Sequence, residues 1–70
     1  MGSSVYKVIE LVGTSEESWE KAATAAVEQA AQSLQDLRIA EIVKLDMTIK
    51  DGKVKNYRTR VQVSFKYKAK

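Results

Sequence analysis

Apolar and polar positions divide the chain into four segments. Val5-Tyr6-Lys7-Val8-Ile9-Glu10-Leu11-Val12 is rich in β-branched and aromatic residues and stops at Gly13, which predicts a strand. Its apolar side chains fall on both faces, so the strand is expected to be largely covered. Thr14-Ser15-Glu16-Glu17 then sets a hydroxyl three positions before a glutamate, a spacing in which each side chain satisfies the other's free backbone N–H and a helix starts. Trp19, Ala22, Ala23, Ala26, Val27, Ala30, Ala31 and Leu34 recur at intervals of three and four. They form one stripe on a helix of roughly five turns that frays near Gln35-Asp36-Leu37. Most of the stripe is alanine, which brings a helix axis close to its sheet and has the best helical propensity. Glu17 and Lys21 make a favourable pair one turn apart.

The second half alternates with the period of strands. From Ile39 to Lys50, Leu45, Met47 and Ile49 lie on one side, and Lys44, Asp46, Thr48 and Lys50 on the other. Asp51-Gly52 is a strong two-residue hairpin signal, because both positions tolerate positive φ. The return strand, Val54 to about Tyr67, puts Tyr57, Thr59, Val61, Val63, Phe65 and Tyr67 on one face, and Asn56, Arg58, Arg60, Gln62, Ser64 and Lys66 on the other. A two-residue loop opposes Ile49 to Val54, Leu45 to Arg58, Ile42 to Val61 and Ala40 to Val63. The helix can then cover the face with Ala40, Ile42, Val61, Val63 and Phe65. The other face keeps Ile39, Val43, Leu45, Met47 and Ile49 beside Arg58, Arg60 and Gln62. Either a bulge swaps the faces part-way or other subunits bury the second one, and the second reading is preferred.

Length favours that preference. Seventy residues make one domain, read as residues 1–70, and such a chain buries only about 60% of the surface its unfolded form exposes. Disulfides, a metal or partner subunits usually supply the missing stability. Cysteine and histidine are both absent, which excludes disulfides, thiolate zinc sites, thiol nucleophiles and the commonest general base. With no glycine-rich phosphate loop and no paired carboxylates on a fixed element, no side chain is assigned as acid, base or nucleophile, and an enzyme is not expected. The longest apolar runs are two or three residues, and Met1-Gly2-Ser3-Ser4 lacks the basic and apolar regions of a secretory leader. A soluble, cytoplasmic protein with no membrane partner follows. The net charge of +3 is uneven: residues 1–49 sum to −4 and residues 50–70 to +7. Anionic partners should therefore meet the C-terminal third. A basic nucleic-acid-binding domain is the alternative from another class, although the charged face has little aromatic interleaving for stacking bases.

The order strand, capped helix, long strand, Asp-Gly turn, strand, together with Val5 to Ser15 at the front and Val61-Gln62-Val63-Ser64-Phe65-Lys66 at the back, resembles the dodecin family over nearly the whole chain. The resemblance implies an α+β fold of order β-α-β-β, a three-stranded antiparallel sheet wrapped on one helix, assembled from trimers as a hollow homododecamer. It also implies flavin, riboflavin or FMN, held as stacked pairs where subunits meet and stored rather than used. The family's flavin-stacking tryptophan, its late second-strand arginine and its third-strand glutamine fall at Ile39, Asp46 and Arg58, and all three differ here. Ile39 removes the π-face, forfeiting about 0.5–1.5 kcal/mol per aromatic contact beyond area burial. Arg58 offers donors only, and Asp46 puts an anion where a phosphate tail would meet a cation. Ser18-Trp19-Glu20, Arg38-Ile39-Ala40 and Tyr57-Arg58 resemble more closely a subgroup without the flavin tryptophan, in which a calcium-associated member is known. Flavin binding is therefore expected to be weakened or lost, the protein being a non-catalytic holder of some small ligand. A calcium site would need six to eight oxygens, and no short stretch is a cation loop, so copies would have to share it. The bland expectations are that Trp19 packs in a core or interface, that Arg58 and Arg60 pair with Glu41 and Asp46, and that Lys66, Lys68 and Lys70 form a solvated edge.

Overall fold

The computed structural model describes residues 3–67, so the terminal Lys68 and Lys70 lie outside the described residues. The element order is β1 (Tyr6–Ser15), α1 (Trp19–Ala31), β2 (Leu37–Lys50) and β3 (Lys53–Lys66). They form a three-stranded antiparallel sheet in the order β1-β3-β2 with α1 on one face, the fold expected.

β1 does not stop at Gly13. It runs on to Ser15, because Gly13 is the place where the helix backbone crosses rather than a turn. A Cβ added there would lie 2.0 Å from the Ala22 carbonyl oxygen and 3.1 Å from the Ala26 Cβ. The cap is also displaced. Ser15 Oγ accepts the N–H of Glu17 at 3.0 Å, and Ser18 is the N-cap, its Oγ accepting the Lys21 N–H at 3.0 Å. Three nearby residues with capping hydroxyls, Thr14, Ser15 and Ser18, compete, and the one nearest the alanine stripe prevails. The Glu17–Lys21 ion pair forms as expected. α1 spans 13 residues and ends at Ala31, well before Gln35, where the chain must turn back to enter β2. Asp36 makes that turn at φ 63°.

Ala22, Ala26 and Ala30 are the buried residues of α1. Ala26 clusters with Val61 and Val63 of β3, with Ile9, Leu11, Ala23, Val27 and Leu37 packed around them. Each fully buried valine contributes about 1.5–3 kcal/mol. The core thus lies under β1 and β3. β1 is covered on one face only: Tyr6, Val8 and Val12, on the other, are exposed.

Asp51 and Gly52 form the hairpin with φ of 54° and 75°, the mirror-image turn their residue types favour. Three of the four predicted pairs are observed: Ile49 with Val54, Ile42 with Val61 and Ala40 with Val63. Leu45, however, faces Thr59 rather than Arg58, and Asp46 faces Arg58, because the register shifts between Ile42 and Lys44 and again between Thr48 and Ile49. Val43 is the extra residue of the first bulge. It moves Leu45 and Met47 to the helix side of the sheet and turns Lys44 and Asp46 outward. The bulge alternative is thus realised, yet the helix still does not cover these side chains. Ile42, Leu45 and Met47 remain 49%, 49% and 43% exposed, because α1 lies over the other two strands.

The molecule is correspondingly extended, 55 × 20 × 16 Å with a radius of gyration of 14.6 Å, against about 11 Å for a compact chain of this length. Its accessible surface of 5406 Å² exceeds by about 1,000 Å² the value expected for a compact monomer of its mass.

Candidate functional site

The face of the sheet away from α1 collects the residues singled out from the sequence. Cross-strand pairing sets Ile39 beside Ser64 and Asp46 beside Arg58, and residues 58, 60, 62 and 64 share that side by alternation. Ile39, Asp46 and Arg58 therefore stand on one face. Ile39 is 67% exposed, an aliphatic side chain left largely open by the described residues.

Asp46 and Arg58 are joined directly. Arg58 Nε donates to Asp46 Oδ1 at 2.8 Å and Nη2 to Oδ2 at 3.0 Å, the bidentate geometry that suits a guanidinium and a carboxylate. The carboxyl is held below its ordinary value of 3.8, first by the hydrogen bond from Arg58. The charges of Arg58, Arg60 and Lys44 act in the same direction against a partial loss of solvation. The same bond raises the Arg58 guanidinium. A depressed folded-state pKa means that the pair favours the fold above the unfolded value and loses that contribution as pH falls through the folded one. An NMR titration should place the Asp46 midpoint below 3.8, and Arg58→Gln should move it back up. A midpoint at or above 3.8 in the wild type would contradict the pairing.

Arg60 pairs with Glu10 on β1 at 3.5 Å, not with Glu41 as expected. Glu41 sits opposite Gln62, while Lys44 takes the place opposite Arg60, so the acid within reach of Arg60 comes from β1. Pairing of β1 with β3 was not read from the sequence; had it been, Val12 opposite Arg60 and Glu10 opposite Gln62 would have placed Glu10 diagonally across from Arg60.

Trp19 holds this region from the helix side. Its indole N–H donates to the Asp46 carbonyl at 3.1 Å, its ring meets that of Tyr57 edge-on with centroids 5.0 Å apart, and its own carbonyl accepts from Thr59 Oγ1 at 2.9 Å. Trp19 packs, as expected. The sequence did not reveal that it also fixes the backbone of Asp46, because that contact depends on the Val43 bulge. Among the described residues no group of three acidic side chains is gathered to hold a metal ion, and no helix is long and apolar enough to cross a membrane. The face is thus a shallow, half-apolar surface on which the two arginines are already engaged.

A protein-family model described as Dodecin matches residues 5–68. The chain is similar to the calcium dodecin of Mycobacterium tuberculosis, 46% identical over 63 residues that make up 90% of this chain and 89% of the relative. It is similar also to the dodecin of Thermus thermophilus, 42% identical over 62 residues, 89% of this chain and 90% of the relative. Among solved structures, the dodecin of Streptomyces coelicolor superposes with a TM-score of 0.92 at 30% identity, covering all of both chains. The M. tuberculosis calcium dodecin, described as having a novel calcium-binding site, superposes with a TM-score of 0.83 at 47% identity, covering 93% of each.

Proposed function

The chain belongs to the dodecin family, and on that premise we propose that it builds a hollow homododecamer from trimers and holds a small ligand other than flavin without transforming it. The observation that carries this reading is the Asp46–Arg58 pair. Of the three positions matching the flavin site that the resemblance implies, two are occupied by side chains bonded to each other and the third by an exposed isoleucine. A flavin ring arriving there finds no aromatic plane. Arg58 has no acceptor for the ring N3–H, and the Asp46 carboxylate faces any phosphate tail. The protein then buffers or stores its ligand in the cytoplasm.

Calcium is the second reading, favoured by the printed name of the Mycobacterium relative. A hard cation needs six to eight oxygens, and without three grouped carboxylates among the described residues such a site is shared between copies.

Titrating riboflavin and FMN while following flavin fluorescence tests the reading. Emission should stay unquenched through sub-micromolar protein, whereas tight quenching would overturn the loss of flavin binding. Identifying what co-purifies with the protein from its native host would then name the ligand.

A further inference from the structure

The free end of the β2–β3 hairpin concentrates positive charge where the sheet is thinnest. β1 ends at Ser15, opposite Tyr57, so beyond that row the sheet is a ribbon of two strands, the least self-sufficient form of sheet. At its last pair Lys50 stands directly opposite Lys53, and like charges so placed destabilise a ladder. The register shift between Thr48 and Ile49 makes Lys55 the extra residue of β3, which brings a third lysine to the same end. All three are exposed, and among the described residues none of them forms an ion pair. Asp51, in the turn itself, is the one carboxylate between residues 48 and 56. Nearer the core the arginines are treated differently: Arg58 is matched by Asp46 and Arg60 by Glu10.

We propose that the hairpin end binds a chain of phosphates, inorganic polyphosphate, across Lys50 and Lys53 with Lys55 beside them. Opposed residues of an antiparallel pair lie about 5 Å apart, so one phosphate group seats between the two ammonium groups and turns their repulsion into a bridge. A single anion answers that pair alone, whereas a chain carries further charge to Lys55. Lysine suits this partner, because its ammonium binds phosphate as a point charge without demanding a fixed plane. One row further in, Thr48 stands opposite Asn56. Thr48 Oγ1 accepts the Asn56 backbone N–H at 3.1 Å, which leaves the hydroxyl proton and the Asn56 amide as donors for the next phosphate. Alternation puts Thr48, Lys50, Lys53 and Asn56 on the face away from α1. No aromatic ring shares that stretch, since Tyr57 pairs with Met47 on the helix side. Bases would therefore find nothing to stack on, which favours a bare phosphate chain over an oligonucleotide. This surface is separate from Ile39 and from the Asp46–Arg58 pair, so binding here is read independently of the flavin titration.

Calorimetric titration of the assembled protein with sodium phosphate, tripolyphosphate, a longer polyphosphate and a single-stranded oligonucleotide tests it. Affinity should rise with the number of phosphates and fall as salt is raised. The double variant Lys50→Gln, Lys53→Gln should bind polyphosphate at least about tenfold more weakly at about 50 mM salt, in particles of unchanged mass. Lys7→Gln on β1 should leave the affinity within about twofold. Without polyphosphate the double variant should melt at or above the wild-type temperature, because the opposed charges are gone; added polyphosphate should raise the wild-type melt and not that of the variant. Equal binding by wild type and double variant would move the site elsewhere and overturn the proposal. Tighter binding of the oligonucleotide than of polyphosphate would overturn the ligand class, and a wild type that binds none of the four would overturn the site altogether.

Discussion

Gly13→Ala is expected to destroy the native fold at room temperature, or to lower the midpoint of thermal unfolding by more than about 12 °C, a shift equivalent to about 3 kcal/mol for a domain of this length. The added methyl would sit 2.0 Å from the Ala22 carbonyl oxygen, a backbone atom held by the helix. Overpacking of a core costs about 1–3 kcal/mol even where flexible side chains can yield. Here the whole helix must lift from Val61 and Val63, opening the core that its alanines close. Gly52→Ala is the control, since its Cβ meets nothing within 4 Å. It should cost only about 1 kcal/mol, for a positive φ. Circular dichroism melts of both decide the matter. A Gly13→Ala melt within 2–3 °C of wild type, roughly half a kcal/mol on the same scale, would mean that the helix does not cross the strand there.

Restoring the family's flavin contacts should produce the largest gain. The triple variant Ile39→Trp, Asp46→Arg, Arg58→Gln is expected to bind flavin about a hundredfold more tightly than wild type, an increment of about 3 kcal/mol. About 1–1.5 kcal/mol comes from the stacking plane, about 1 from the amide's hydrogen bond, and the remainder from replacing an anion by a cation near the phosphate. Ile39→Trp alone should gain about tenfold, because the Asp46–Arg58 pair still occupies the neighbouring positions. The contributions separate by ligand: replacing Asp46 should matter more for FMN than for riboflavin. If the triple variant binds neither flavin any better, Ile39, Asp46 and Arg58 do not mark the site.

What was legible in the chain was whatever depended on neighbouring residues. Asp51-Gly52 gave the hairpin, the alternation of residues 39–50 and 54–66 gave its two strands, and the alanine stripe gave the helix. The helix start was blurred because Thr14, Ser15 and Ser18 all carry capping hydroxyls, and only the path of β1 past Gly13 chooses among them. The Val43 bulge was harder. Its trace is the apolar doublet Ile42-Val43, where the alternation changes phase between Ala40-Ile42 and Leu45-Met47. A strict two-residue period carried through that doublet opposed Leu45 to Arg58, whereas the bulge brings Asp46 there. The Glu10 partner of Arg60 and the Trp19 hold on Asp46 depend on long-range register and were invisible to local pattern. Ile39 and Arg58 share a face in either register, because residues before the bulge and the run of β3 determine them, whereas Asp46 falls on the opposite face in the strict alternation and only the bulge brings it to theirs.

All of this turns on exposed apolar surface that one 70-residue chain cannot cover with one helix. The mass of the native particle, read by sedimentation or native mass spectrometry at micromolar concentration, tests it most directly. A single species of twelve times the 7.8 kDa chain mass is the predicted result, and a well-folded species of 7.8 kDa would contradict it.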